Sequence, residues 1–309
     1  MTYTLLLQFA FSALISSVAI YVIVNTLIKM GLKNQQIPRF WIAVIMGFIL
    51  TLPHIVVAAL NIFQIVPVTT PANIFSTLTV YVFFFIPLIA MLRPFNYSLS
   101  AARMEVPLLF AITIVYFLYG LEGQPFNIQK IIPMGVIFLM FCYDIMRMLE
   151  LGDYKIESKV KESKTKNYLT IFTFALIYGV AYLAFGLNEN FFLAKENQTF
   201  YEILLQLSAG ILWVLPLICT IIVWLRNNAP AELLVSSMIF SFVFTTSFLI
   251  PLVGFYVFLP CDPNLIFYTV TSLVGLGMLW FQITGLHYAN RMIATILLGS
   301  FLFLIYSNH

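Results

Sequence analysis

Charged side chains are nearly missing from this chain: 15 Lys and Arg and 12 Asp and Glu make up 9% of its 309 residues. A soluble globular domain carries about a quarter, so a water-facing surface cannot be built from this composition. A net charge of +3, spread over short loops, leaves no basic patch for nucleic acid and points to no partner in solution. The three cysteines, Cys142, Cys219 and Cys261, are scattered without metal-ligand spacing. Two of them lie in apolar runs, where a free Cys behaves as a small buried hydrophobe. There is no His-Glu-x-x-His, no nucleophile elbow, no phosphate loop and no pair of intramembrane carboxylates. Catalytic residues, cofactors and metal ligands are therefore not expected, and an enzyme is the least favoured class.

What is present is apolar surface, 62% of the residues at a mean hydropathy of +1.00. A membrane helix needs about 20 mostly apolar residues, and that rule gives ten spans: 3–28, 39–65, 72–92, 104–120, 130–151, 168–187, 202–225, 231–252, 264–284 and 289–307. The first apolar stretch lacks a charged leader and is too long for a signal peptide, so it reads as a retained span. The eighth is ambiguous at its end, because Pro251, Pro260 and Pro263 leave Val253–Leu259 as either a tail or a short re-entrant piece. The chain is predicted to be an all-α polytopic membrane protein whose partner is the lipid bilayer; its sequence names no protein partner within the membrane.

Lys and Arg are enriched in cytoplasmic loops. With the N-terminus outside, thirteen of the fifteen cations fall in inner loops, and only Lys130 and Lys195 in outer ones. Both termini are therefore placed outside and the hydrophilic segment 152–167 in the cytoplasm, as a charged linker. Asp144 and Arg147, three apart near the inner end of the fifth span, are expected to pair. Asn197-Gln198-Thr199 is a glycosylation triplet common enough to decide nothing.

The chain also repeats itself. Gly47 to Ile55 is echoed by Gly210 to Ile218, Ala72 to Ser76 by Ser237 to Ser241, and Ile86-Pro87-Leu88 by Ile250-Pro251-Leu252. Pro216 follows Pro53 by 163 residues, Ile239 follows Ile74 by 165 and Pro251 follows Pro87 by 164. One constant offset predicts a duplication, with halves at 1–151 and 168–309. Five spans per half is an odd number, so the second half enters the membrane the opposite way round, as an inverted-topology repeat.

Two five-helix repeats, a Pro deep in the second helix of each, an Asn-Ile-Phe-type start to the third and a central cytoplasmic loop together resemble the sodium/calcium exchanger (calcium/cation antiporter) superfamily. Gly120–Tyr143 and Thr284 to Tyr306 resemble its fourth-to-fifth and ninth-to-tenth helix segments. The resemblance implies Gly-Thr-Ser-x-Pro-Glu in the second helix of each repeat and Gly-Ser-Asn-x-x-Asn or Asp in the third. Here the Thr-Ser pair falls on Leu50 and Thr51 and the Glu on His54, whereas the second repeat has Trp213, Val214 and Leu217. Asn73 keeps the family residue, Met238 does not; the third-helix Ser falls on Ala72 and Ser237, and the last position on Ser76 and Ser241. Glu232 of Pro230-Ala231-Glu232 looks like the lost Pro-Glu motif but breaks the constant offset, and fits a helix start, where an acid is favoured.

Without carboxylates, a calcium ion that wants about 6–8 oxygens and compensating charge has no home here. The expectation is an exchanger fold that does not exchange calcium in the family's manner. The candidate transport site comprises Thr51, Pro53, His54, Asn73, Ser76, Pro216, Ser237 and Ser241. His54 is the foremost of these, as an ionisable group beside a helix-breaking Pro near mid-membrane; a neutral, hydrogen-bonded core His is the alternative. The expected function is a secondary transporter of a monovalent cation, a proton or a small solute by alternating access. The alternative is a transport-inactive membrane scaffold or regulator, favoured by the bulky Trp213, Val214 and Leu217.

Overall fold

A computed structural model of the protein describes residues 2–33, 37, 39–64, 70–93, 95, 100–126, 128–150, 164–193, 217–286 and 291–307. Ten helices fill them. They are α1 (Thr2–Ile28), α2 (Arg39–Ile62), α3 (Pro71–Leu92), α4 (Ser100–Glu122), α5 (Ile128–Glu150), α6 (Lys164–Leu193), α7 (Leu217–Arg226), α8 (Ala231–Tyr256), α9 (264–286) and α10 (Arg291–Ser307). Each coincides with an expected span, though only the end of the seventh is described. Eight are long and apolar enough to cross a membrane, and the protein is an integral, multi-pass membrane protein.

Two expectations change, and one left open is decided. The linker 152–167 is shorter, because α6 begins at Lys164; hydropathy sees only the apolar middle of a helix, whose polar first turn projects beyond it. The segment after Pro251 is a tail, with α8 continuing to Tyr256 before the chain turns. Leu259 then accepts a backbone hydrogen bond from Phe126 (3.1 Å). Finally, Asp144 and Arg147 do not pair. The ion pair seen among the described residues is instead Lys130 with Glu122 (3.1 Å). Lys130 is buried, donates to the Gln124 carbonyl (2.9 Å) and lies 5.1 Å from the Tyr119 ring centroid. A pair three residues apart on a helix surface gains only a few tenths of a kcal/mol, too little to fix two mobile side chains. The glycosylation triplet lies outside the described residues.

The helices form two compact units that each draw on both halves of the sequence. The first takes Met1–Ile42, Leu52–Pro67 and Ile156–Ala229. There α1 packs against α6. On α1, Ile20, Ile23, Val24 and Leu27 are buried, at helical spacing, while Leu7, Phe11, Leu14, Val18 and Tyr21 are exposed. Both stripes are apolar, as a helix with one face on protein and the other on lipid requires.

The second unit takes Ala43–Thr51, Val68–Lys155 and Pro230–His309. Its hub is α8, where every residue from Leu233 to Val243 is buried. Glu232 sits in the first turn of α8 with Pro230 as N-cap, the place where the helix dipole favours an acid. Around the hub, α4 packs on α8 and α9, α9 also on α3, and α10 on the second half of α3. Gly275 lets α9 approach α3 closely; a Cβ there would sit 2.5 Å from Val82 Cγ1 and 2.6 Å from a Phe83 ring carbon.

Both α3 and α8 contain a π-helical turn, at Tyr81–Phe85 and Thr245–Leu249. In each, the residue before the proline reaches back five positions, Ile86 N–H to the Tyr81 carbonyl and Ile250 N–H to that of Thr245. Pro87 and Pro251 explain it. A proline lacks the N–H that an α-helix uses and its ring crowds the carbonyl four residues earlier, and a wider turn makes room.

Candidate functional site

The middle of α2 meets α8 through Gly47. A Cβ at this position would lie 2.7 Å from Phe240 Cβ and 3.1 Å from the Ser237 carbonyl oxygen, so only glycine allows the two backbones to come this close. One turn later Thr51 Oγ1 donates to the Gly47 carbonyl (2.8 Å) and lies 2.9 Å from Ser241 Oγ. Ser237, one turn before Ser241 on the same helix, donates to the Leu233 carbonyl (2.7 Å). Thr51, Ser237 and Ser241 are all buried. The helix crossing thus gathers three of the expected residues around hydroxyl and carbonyl oxygens.

The others are placed differently. Asn73 and Ser76 lie in the first turns of α3, Asn73 exposed and Ser76 half-buried, and Ser76 Oγ donates to the Asn73 carbonyl (2.7 Å). Pro53 is buried inside α2 and belongs, with His54, to the first unit. His54 is half-buried, and among the described residues nothing hydrogen-bonds its imidazole. Pro216, like Trp213 and Val214, lies outside the described residues; Leu217 opens α7 and is buried.

The crossing can offer a cation neutral oxygens only. Along the buried face of α8, Thr245, Thr246 and Ser247 donate to the carbonyls of Ser241 (2.7 Å), Phe242 (2.6 Å) and Val243 (2.6 Å). A hydroxyl that donates into its own helix keeps its oxygen lone pairs for a second partner. Among the described residues no three of His, Cys, Asp and Glu cluster as a metal site. Such a set suits a weakly charged ligand, because dehydrating a divalent ion without carboxylates is costly.

Sequence reasoning missed several buried polar contacts of the second unit. Thr79 Oγ1 and Ser272 Oγ are 3.1 Å apart between α3 and α9, and Tyr116 donates from α4 to the Thr246 carbonyl (2.8 Å). It also missed two orphans: both carboxyl oxygens of Glu105 and the hydroxyl of Ser236 are buried without a hydrogen-bond partner. The acid was readable, since Glu105 directly precedes the apolar run of α4, but at the edge of an apolar window it passes for an interfacial charge.

No protein-family model and no curated protein matches the chain. Solved structures do, over its whole length. The sodium-calcium exchanger NCX_Mj soaked with 2.5 mM Na+ and 0.1 mM Sr2+ superposes with a TM-score of 0.73 at 12% identity, covering 99% of each chain. The same exchanger soaked with 2.5 mM Na+ and 0.1 mM Ca2+ gives a TM-score of 0.70 at 11% identity over 100% of each chain. With 2.5 mM Na+ and 10 mM Sr2+ the values are 0.70 and 10%, covering 99% of each chain. At such identity the likeness shows the fold, and the fold is the exchanger's.

Proposed function

From an exchanger fold that spans the whole chain, we propose that this protein is a divergent relative of the sodium/calcium exchangers and a secondary transporter of a monovalent cation, a proton or a small solute. The observation that carries the reading is the end-to-end likeness to NCX_Mj at a TM-score of 0.73, which extends to helices from both sequence halves. The oxygens of Thr51, Ser237 and Ser241 support it, because they meet where α2 crosses α8. Neutral oxygens at that crossing favour a singly charged or neutral cargo over calcium. Alternating access would be the mode of transport, with both termini outside, the central linker cytoplasmic and no enzymatic step.

A second reading, a transport-inactive scaffold or regulator, is favoured by one specific observation. The hydroxyls at the crossing are sealed, Thr51 and Ser237 at 0% exposure and Ser241 at 3%, and the glycine contact leaves no room between the backbones. Flux separates the two readings. Purified protein in liposomes, under imposed sodium, potassium, calcium and pH gradients, is expected to move a monovalent cation or protons and to lose that flux in Thr51→Val. Calcium flux would overturn the argument from missing carboxylates. No flux under any gradient, from folded protein, would select the scaffold.

A further inference from the structure

Glu105 is the one described acid whose two oxygens are both buried and without a partner, at 5% exposure. Helix register fixes its level along the helices packed around α4. Gly120, fifteen residues later on α4, faces Ile266 of α9, where a Cβ would lie 3.0 Å from Ile266 Cγ1. Sixteen residues beyond Ile266, one more than the fifteen on α4, α9 reaches Gln282, which is buried and belongs to a π turn that touches α4. Tyr116, eleven residues after Glu105, bonds Thr246 of α8, and ten residues before Thr246 is Ser236, the second orphan. At about 1.5 Å per residue, Glu105, Ser236 and Gln282 lie at one level, on three helices that pack together.

We propose that Glu105 is a proton-binding site, distinct from the hydroxyl crossing, whose carboxylate takes one proton from hydronium, leaving water, and exchanges it with the solvent. An ionised carboxylate without a donor in protein interior is strongly disfavoured and must find a counter-charge. A calcium or magnesium ion would need about six or more oxygens, whereas the level offers two from Glu105 and one each from Ser236 and Gln282. A proton needs only the carboxylate. The titratable groups on the matching halves of the helices packed around α4 are Glu232 on α8, Cys142, Tyr143, Asp144 and Arg147 on α5, and Arg93 at the end of α3; α9 has none between Thr269 and Leu286. None of them bonds the Glu105 carboxyl. The site rests on the transport reading only for its use: in a transporter it is the group through which a proton would be coupled to cargo.

The test is infrared difference spectroscopy on the full chain in lipid vesicles, in water and in D2O. The wild type is expected to show the carbonyl band of a protonated carboxyl near neutral pH, shifted in D2O. The band is expected to be lost in Glu105→Gln, which imitates the neutral acid and keeps the fold, and displaced in Glu105→Asp. No protonated-carboxyl band assignable to Glu105 would mean an ionised side chain and overturn the proposal. A band unmoved by D2O would mean a sealed proton that does not exchange, and would overturn it too. Flux measured on the same vesicles reads transport separately, so a wild type with the exchangeable band but no flux would fail the transport reading and leave the proton site standing.

Discussion

A hydroxyl in a membrane interior usually turns to its own helix, and Ser237, Thr245, Thr246 and Ser247 of α8 do so, each donating to the carbonyl one turn earlier. Such bonds are modest. The Thr51 to Ser241 contact is different, because it joins residues 190 apart in sequence. A double-mutant cycle of Thr51→Val and Ser241→Ala, read by reversible denaturation, is expected to give a coupling of about 0.6 kcal/mol, the usual size for a hydrogen bond between membrane helices. Glycine offers a sharper contrast. Gly47→Ala pushes a methyl onto Phe240 and the Ser237 carbonyl and is expected to cost about 1–3 kcal/mol in the same assay. Gly135→Ala meets nothing within 4 Å and is expected to be neutral or stabilising by up to about 1 kcal/mol. Thr51, Ser237 and Ser241 were readable from the sequence because the repeat maps them onto positions where the exchanger motif carries ligands. The gathering of these three, without Asn73 and Ser76, was not, since it depends on which helix crosses which and not on spacing along either.

At the scale of the helix, apolar length located all the described elements, and it could not see inside them. The π turns at Tyr81–Phe85 and Thr245–Leu249 leave hydropathy unchanged, because they alter which carbonyl a given N–H reaches and not which residues are apolar. The prolines after them hinted at a disturbed ladder without revealing its form. Removing one residue, such as Ser247, from the second turn would force an α-helical ladder on it, in which the Pro251 ring crowds the carbonyl four residues earlier. The narrower turn would also shift Phe248, which lies inside it, from its stacking on Phe138, whose centroids are 4.8 Å apart. The deletion is expected to cost more than about 2 kcal/mol, seen as a lowered melting temperature, whereas Ser247→Ala removes only a back-bonded hydroxyl and is expected to cost less than about 1 kcal/mol.

For the whole molecule, scarcity of charge was the most legible property, and it announced a membrane protein before any helix was drawn. The grouping of helices was less legible. A duplication suggests two halves side by side, yet the compact units each take helices from both, because burial of apolar faces sorts helices by partner and not by order in the chain. The distribution of Lys and Arg leads to an expectation about sidedness. A single Cys introduced at Ser158, in the central linker, is expected to react with an impermeant maleimide only from the cytoplasmic side. Labelling from outside would reverse the topology.

The two π turns carry a consequence for history. Each amounts to one residue inserted into an otherwise α-helical ladder, and they stand 164 residues apart, the same offset that relates Pro87 to Pro251. The two stretches, Tyr-Val-Phe-Phe-Phe and Thr-Thr-Ser-Phe-Leu, share one identity in five positions, so the turn follows the Ile-Pro-Leu that comes after each and not the residues within it. For halves related by duplication, a wide turn set by the same proline in both is most simply one that a single ancestral half carried, kept in each copy because the proline was kept while the turn's own residues drifted.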